Sequence, residues 1–380
     1  METILITGGL GFIGLNLATE LVATGHRVRL FDNLSPQIHG PLPVVDHPVL
    51  ASDRVEVMRG DVVSRADLER AIAGADAIVH LAAETGTGQS MYQIAHYNFV
   101  NTQATAVLLE VLQQAASPSV KKIILASSRS VYGEGAFTCP ACSPETVRYP
   151  DPRTREALAA HRWEPACPIC AAPMQPVATS ESARINPASI YAATKFAQEE
   201  LIRIGAQALG IPSVALRFQN VYGEGQSLNN PYTGILSIFS TRIRQGKSLP
   251  IFEDGLESRD FVHVTDVARA VAAALKTDVG MFDVFNVGLG KPVSVMEIAT
   301  KLMHKLGGTI APHVTAEYRV GDIRHCYADI TRIGEALGYQ PQVDIDAGLD
   351  RFVAWVRTQP LPADRLDQAN EELRRRKLMA

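Results

Sequence analysis

From the third residue onward, short apolar runs alternate with longer stretches in which apolar positions recur every three or four residues. The short runs are Ile4-Leu5-Ile6, Val28-Arg29-Leu30-Phe31, Val55-Glu56-Val57-Met58, Ala77-Ile78-Val79-His80, Lys122-Ile123-Ile124-Leu125 and Val214-Ala215-Leu216. Their length and β-branched content predict strands, and the longer stretches predict helices over Ile13 to Ala23, Ala95 to Ala115 and Ile190 to Leu209. Strand followed by helix, repeated, is the pattern of an α/β fold with a Rossmann-type, doubly wound parallel sheet.

The alternation fails in two places. Residues 135–178 are dominated by Pro, Cys and charged side chains, which predicts an insertion carrying its own staple. After Tyr222, Gly-, Pro- and Asn-rich loops and shorter helices predict a smaller C-terminal α/β lobe that closes over the carboxyl edge of the sheet. The expected organisation is a doubly wound domain over 1–134 and 179–222, the insertion over 135–178, and a substrate lobe over 223–359 with returns to the sheet. Residues 360–380, polar and rich in Arg and Glu, predict a solvated helical tail. The chain shows no internal repeats.

A chain of 380 residues, 46% hydrophobic and 20% charged, has the balance of a soluble globular enzyme. Its formal charge of -4 and pI near 6.2 supply no basic patch for nucleic acid or an anionic membrane, so any phosphate must be held locally. No stretch approaches the ~18 consecutive apolar residues of a membrane span, since Arg269 interrupts even Val267 to Leu275. Met1 stands almost directly before the first strand, which leaves no charged leader and points to a cytoplasmic protein.

Gly8, Gly11 and Gly14 follow the first strand and open the first helix, with Phe12 and Ile13 between them. That spacing lets backbone approach a pyrophosphate, while the helix start offers unpaired N–H groups. A tight strand-to-helix turn is the competing reading of the glycines alone. Asp32, after the second strand, stands where an acidic residue accepts hydrogen bonds from a ribose and repels a 2′-phosphate, favouring NAD over NADP. Asn33, Asp61, Val62, Leu81, Ala82, Ala83 and Asn101 complete the expected cofactor set.

Tyr191 and Lys195 stand four residues apart on one predicted helical face. A cation beside a tyrosine lowers its pKa, so the phenolate can act as a base near neutral pH. An exposed helix pair is the other reading. Ser128, at the end of Leu125-Ala126-Ser127-Ser128, changes the balance because the carboxyl edge is where doubly wound sheets build their sites.

This combination resembles the extended short-chain dehydrogenase/reductases that act on nucleoside-diphosphate sugars, and the resemblance spans nearly the whole chain apart from the insertion and tail. Its further carriers are Ser127 to Gly133, Gln219-Asn220-Val221-Tyr222-Gly223, Arg259 to Val264, Phe285-Asn286-Val287-Gly288 and Arg319-Val320-Gly321-Asp322. The resemblance implies Ser128, Tyr191 and Lys195 as catalytic residues, the last two also touching the cofactor. Thr85, Ser128, Arg129, Asn220, Arg259, Arg319 and Asp322 would hold the substrate. It also implies a homodimer through the Ala95 to Ala115 and Ile190 to Leu209 helices.

Dehydratases of this family resemble Thr-Asp-Glu after the strand, and decarboxylating members carry a glutamate at the position of Ser130. Here the residues are Ser128-Arg129-Ser130, so the resemblance implies hydride removal and return at C4 of the sugar, a 4-epimerase. A C4 dehydrogenase or ketoreductase needs the same three residues and stays open, as does a non-catalytic NAD-binding regulator. Many 4-epimerases have an aromatic residue where this chain has Gln219. Thr85 to Tyr92, Asn230 to Gly234 and the cysteine-bearing insertion are similar to the members that epimerise dTDP-L-rhamnose to dTDP-6-deoxy-L-talose.

Cys139-Pro140-Ala141-Cys142 and Cys167-Pro168-Ile169-Cys170 are two C-x-x-C knuckles within the aperiodic insertion. Four thiolates close a tetrahedral zinc site with no open position, which predicts a structural zinc. The insertion is expected to fold over the sheet and shape the sugar pocket. Disulfides are disfavoured in a reducing compartment, and free structural cysteines remain as the other reading. Cys326 is expected in the core.

Overall fold

The computed structural model describes residues 2–40, 43–115, 119–228, 230, 234–278 and 280–380. Pro231, Tyr232 and Thr233 of the Asn230 to Gly234 segment therefore lie outside the described residues. Strands β1 (Thr3–Thr7), β2 (Arg27–Asp32), β3 (Val55–Arg59), β4 (Ala77–His80) and β5 (Lys122–Ser128) join Ser213–Phe218 and Phe282–Val287 in one parallel sheet. The spatial order is Phe282–Val287, Ser213–Phe218, β5, β4, β1, β2, β3. Ile4 of β1 pairs with Val28 on one side and Ala77 on the other, so strand order reverses about β1 and a crevice opens at its carboxyl end.

Successive side chains leave opposite faces of a strand, and both faces of this sheet are covered. Ile4 and Ile6 enter one core with Leu17, Leu21 and Val271, whereas Leu5 enters the other with Leu68, Leu108 and Ile202. That is why the strand runs read as continuous apolar stretches. Phe282–Val287 was not among the predicted strands; only its last three residues are buried, so no apolar run marks it.

Helix α1 (Phe12–Ala23) and the helix Ile190–Ala208 fall where the periodicity puts them. The expected Ala95 to Ala115 helix is interrupted, with a π-helical stretch at Asn98–Gln103 before Ala104–Gln114. Val264–Lys276 is amphipathic and buries Val267, Ala270, Val271 and Ala274. Among the described residues no helix is long and apolar enough to cross a membrane.

The smaller lobe has its own core of Tyr222, Phe239, Phe261, Leu302 and Phe352, under strands Asn220–Tyr222, Ser258–His263, Pro292–Ser294 and His325–Cys326. The insertion is less irregular than its composition suggests. Phe137–Cys139 pairs antiparallel with Ser143–Arg148 and Gln175–Pro176. The solvated tail is a correction. Helix Leu366–Arg375 buries Leu366, Ala369, Asn370 and Leu373, and Tyr318 exchanges backbone hydrogen bonds with Ala380. An apolar stripe at Leu366, Ala369 and Leu373, hidden among Arg and Glu, is enough to dock it.

One buried polar cluster fixes the helix Ile190–Ala208 to the sheet. Arg217 grips Glu199 with two hydrogen bonds, Nε to Oε1 at 2.9 Å and Nη2 to Oε2 at 2.7 Å, and both side chains are almost fully buried. Ser127 also donates to Glu199. Replacing Arg217 by Met strands a buried carboxylate and should cost about 3–5 kcal/mol of stability. Thermal unfolding checks this: Arg217→Met should melt well below the wild type, and adding Glu199→Leu should recover much of the loss. Equal melting of single and double variants would show that the pair does not hold the helix.

Candidate active site

The turn between β1 and α1 forms one wall of a cleft of about 270 Å³. Gly8 sits at φ +67°, and a Cβ there would lie 2.9 Å from the backbone nitrogen of Ala82, so the turn crosses the loop after β4 at a distance only glycine allows. Gly11 caps α1 without a side chain to satisfy the first-turn N–H groups, which stay available to a phosphate. Phe12, Ile13, Val62, Leu81, Ala82 and Ala83 line the same cleft.

Asp32 also lines it, with its carboxylate aimed by the N–H groups of Leu10 (3.1 Å) and Leu34 (2.8 Å). His39 stands 3.7 Å from Asp32. Its place in the short helix Pro36–His39 after β2 carries no motif, so sequence reasoning missed it, as it missed Gln226, which lines the same cleft. Asn33 lines the cleft and bonds Asp61, which stands behind it. The glycine turn, uncapped helix start and Asp32 fit a dinucleotide without a 2′-phosphate.

Asn101, expected in the cofactor set, does not line the first cleft. Its amide accepts from Glu84 N–H (2.8 Å) and donates to the Glu84 carbonyl (3.1 Å) and to Thr194 (3.0 Å). It is fully buried and acts as a strut between the loop after β4 and the helix Ile190–Ala208.

Thr85 and Gln226 also line a second cleft of about 320 Å³, which contains Ser128, Arg129, Ser130, Tyr191, Gln219 and Asn220. Ser128 ends β5, and Tyr191 lies in the first turn of a helix capped by Ser189, which accepts from Ala192 N–H at 3.2 Å. The two meet: burial raises the phenol's pKa, while a hydrogen bond with Ser128 and the charge of Arg129 pull it down. Ser130 Oγ lies 2.9 Å from Ser128 Oγ.

Lys195 departs from expectation. Its Nζ donates to Gln198 (2.8 Å) instead of lending its charge to the phenol, and burial lowers its pKa to about 7. Gln198 passes the contact to Thr105 (2.7 Å), Thr105 to His80 (3.2 Å) and His80 to Thr7 (2.8 Å). Burial lowers the His80 pKa to about 3, keeping the ring neutral. A continuous buried polar chain thus runs from Lys195 beneath the sheet edge to the start of the glycine turn.

Six of the seven predicted substrate residues divide between two clefts, and Arg259 lines neither. Asn220 accepts from Arg129 Nε at 2.8 Å inside the second cleft. Arg319 and Asp322 line a third cleft of about 110 Å³, which shares Thr87 with the second and is walled by Leu373 and Leu378 of the C-terminal segment. Arg259 donates to the carbonyls of Ser258 and Arg324, and Arg319 to the amide of Asn370. These hydrogen bonds go to neutral groups; burial lowers both pKa values, and the nearby carboxylates of Asp322 and Glu257 pull both back up.

The insertion does not shape the second cleft; none of residues 135–178 lines it. Instead Arg153 binds Glu134 (3.1 Å), Glu253 (2.8 Å) and the Asp322 carbonyl (3.0 Å), while Glu164 binds Arg324 and His325. These ion pairs draw it toward the smaller lobe. A hollow of about 900 Å³ lies within it, beside Tyr149, Trp163 and Met174, and holds none of the predicted site residues. The four cysteines do converge, with all Sγ atoms within 4.8 Å of one another. Cys139 is 3.6 Å from Cys170 and Cys142 is 3.5 Å from Cys167. Cys326 is buried elsewhere.

The model of the NAD dependent epimerase/dehydratase family matches residues 4–162 and 169–288. A dTDP-L-rhamnose 4-epimerase of Burkholderia thailandensis is 36% identical over 97% of this chain and 97% of its own. A UDP-glucose 4-epimerase of Mycolicibacterium smegmatis is 32% identical, covering 93% and 98%. Among solved structures, the UDP-glucuronic acid 4-epimerase of Bacillus cereus, in complex with UDP-glucuronic acid and NAD, superposes with a TM-score of 0.76 at 25% identity, covering 93% and 99%. Family match, identity and shared architecture lead to one conclusion: the chain belongs to the NAD dependent epimerase/dehydratase family.

Proposed function

We propose that this protein is a nucleotide-sugar 4-epimerase using NAD, with dTDP-L-rhamnose and its C4 epimer as the substrate pair. The observation that carries the reaction type is the second cleft: among the described residues it sets Ser128 beside Tyr191 and is lined by no carboxylate. Water loss or decarboxylation at that place calls for an added acid, and Arg129 and Ser130 are not acids. The 36% identical relative, which aligns over 97% of both chains, supports the sugar.

Gly8, Gly11, Phe12, Ile13 and Asp32 are the proposed hold on the dinucleotide. Bound there, NAD supplies oxidation of the sugar at C4 and its re-reduction. Tyr191 takes the proton of the C4 hydroxyl and returns one to the oxygen, and Ser128 steadies that oxygen by hydrogen bonding. Lys195, tied to Gln198, sets the polar floor beneath them. Arg259 and Arg319 are the proposed grip on the diphosphate, since a phosphate oxygen would be a stronger acceptor than the carbonyls and amide their guanidiniums now bond. The enzyme should interconvert dTDP-L-rhamnose and its epimer, read by NMR, with no net absorbance change at 340 nm. Tyr191→Phe should lower turnover by about 10²-fold or more while dinucleotide affinity stays. A steady change at 340 nm matching product would mean a net dehydrogenase.

The insertion is proposed to hold one structural zinc on Cys139, Cys142, Cys167 and Cys170, in a protein working in the reducing cytoplasm. Zinc–sulfur bonds of about 2.3 Å in a tetrahedron put sulfurs just under 4 Å apart, close to the spacing found here. Metal analysis after reducing, chelator-free purification should find one zinc per chain, and stripping it should lower the melting temperature. Protein that is metal-free yet melts normally would rule the site out.

A homodimer is proposed to cover Ile94, Phe99 and Ile204, which stand about half exposed on neighbouring helices. Light scattering should give twice the chain mass for wild type and a smaller mass for Ile204→Glu; a monomeric wild type refutes it.

A further inference from the structure

Gln219 follows the last residue of strand Ser213–Phe218, and its N–H is donated to the Val287 carbonyl at 2.9 Å. The residue is 5% exposed and lines the second cleft beside Ser128, Tyr191 and Asn220. Among the described residues neither amide atom of its side chain, Oε1 or Nε2, has a hydrogen-bond partner. Its neighbours are satisfied: Asn220 accepts from Arg129, and Ser128 is bonded to Ser130.

Among the described residues none behind Gln219 bonds its amide. Gly288 stands there, where a Cβ would come within 2.8 Å of Gln219 Cγ and 2.4 Å of Asp260 Oδ2. Asp260 in turn is occupied by the N–H groups of Leu289 (2.8 Å), Gly290 (2.9 Å) and Ala328 (3.2 Å). A glycine at 288 thus makes room for an amide that the protein leaves unpaired. Burying an amide without a partner is destabilising, and a side chain such as Met fills similar volume without that cost.

We propose that Gln219 is a specificity-determining residue whose amide hydrogen-bonds a ring hydroxyl of the sugar held against Ser128 and Tyr191. The proposal rests on the nucleotide-sugar reading above. An amide carries both donors and an acceptor, so it pairs with a hydroxyl in either role. It selects a sugar that is hydroxylated on that edge and discriminates against one that presents only apolar groups, because the amide would then stay unpaired.

The test is Gln219→Met, with Gln219→Glu as the variant that keeps an acceptor and loses the donors. Three measurements are made on the full-length enzyme: melting temperature without ligand, dinucleotide affinity, and calorimetric affinity for dTDP-L-rhamnose and UDP-glucose alongside kcat/KM. Gln219→Met should melt at or above the wild-type temperature and bind the dinucleotide equally. It should lose about 10- to 100-fold in sugar-nucleotide affinity or kcat/KM for the substrate turned over, as expected for a site built to hydrogen-bond it. Unchanged affinity and kcat/KM, or a melting temperature that falls with them, would overturn the assignment. Sugar-nucleotide binding by a wild type that turns over neither substrate would refute the epimerase reading, while the affinity of Gln219→Met would still decide the role of Gln219.

Discussion

Arg217 and Glu199 face each other across the space between the sheet and the helix that carries Tyr191 and Lys195, and their contacts reach further than one another. Arg217 also donates to the Tyr132 hydroxyl (2.9 Å) and the Glu181 carbonyl (3.2 Å). Tyr132 donates to Asn286 (2.8 Å), which holds the carbonyls of Thr179 and Asp329. One guanidinium therefore registers β5, the helix, the edge strand and the chain leaving the insertion. A pair so deeply buried adds little net stability compared with apolar side chains of the same volume. What it contributes is position, since the Ser128 hydroxyl and the Tyr191 phenol meet only if β5 and the helix keep a single register.

From that platform three clefts follow one another, the first and second joined at Thr85 and Gln226, the second and third at Thr87. The chain carries net negative charge; the first cleft pairs an uncapped helix start with Asp32 and Glu84, and the third pairs Arg319 with Asp322. Between them the middle cleft is polar and free of lining carboxylates.

Much of this was legible in the sequence for a physical reason: strands buried on both faces must be apolar throughout, and a dinucleotide turn must be glycine at fixed steps. Asp32, Ser128 and Tyr191 were readable because each sits at a strand end or helix start whose position the pattern sets. Lys195 was readable as a neighbour of Tyr191 but not in its partner, because Gln198 competes for the ammonium on the same helical face. The bonds of Asn101 to Glu84 and Thr194 were not readable, because a polar residue on a buried helix carries no mark of its partners. His39, Gln226 and the docking of Leu366–Arg375 were invisible because they depend on where loops and a short apolar stripe come to rest. The insertion was recognised by composition, yet its leaning toward the smaller lobe depends on Arg153 and Glu164 meeting partners more than 100 residues away in the chain.

The two ends of that insertion meet. Ala136 N–H is bonded to the Thr179 hydroxyl at 3.0 Å, and Val177 N–H to the Ala136 carbonyl at 2.9 Å. Some forty residues thus enter and leave the body through one narrow neck, and closing a chain whose ends already touch costs little extra entropy as its length grows. Seen as a unit of descent, the segment is a cassette: it can be gained, lost or lengthened in one event, while β5 and the helix Ile190–Ala208 keep the same spacing. The Ser128 and Tyr191 pair and the four-cysteine knuckle can therefore have separate histories within one chain.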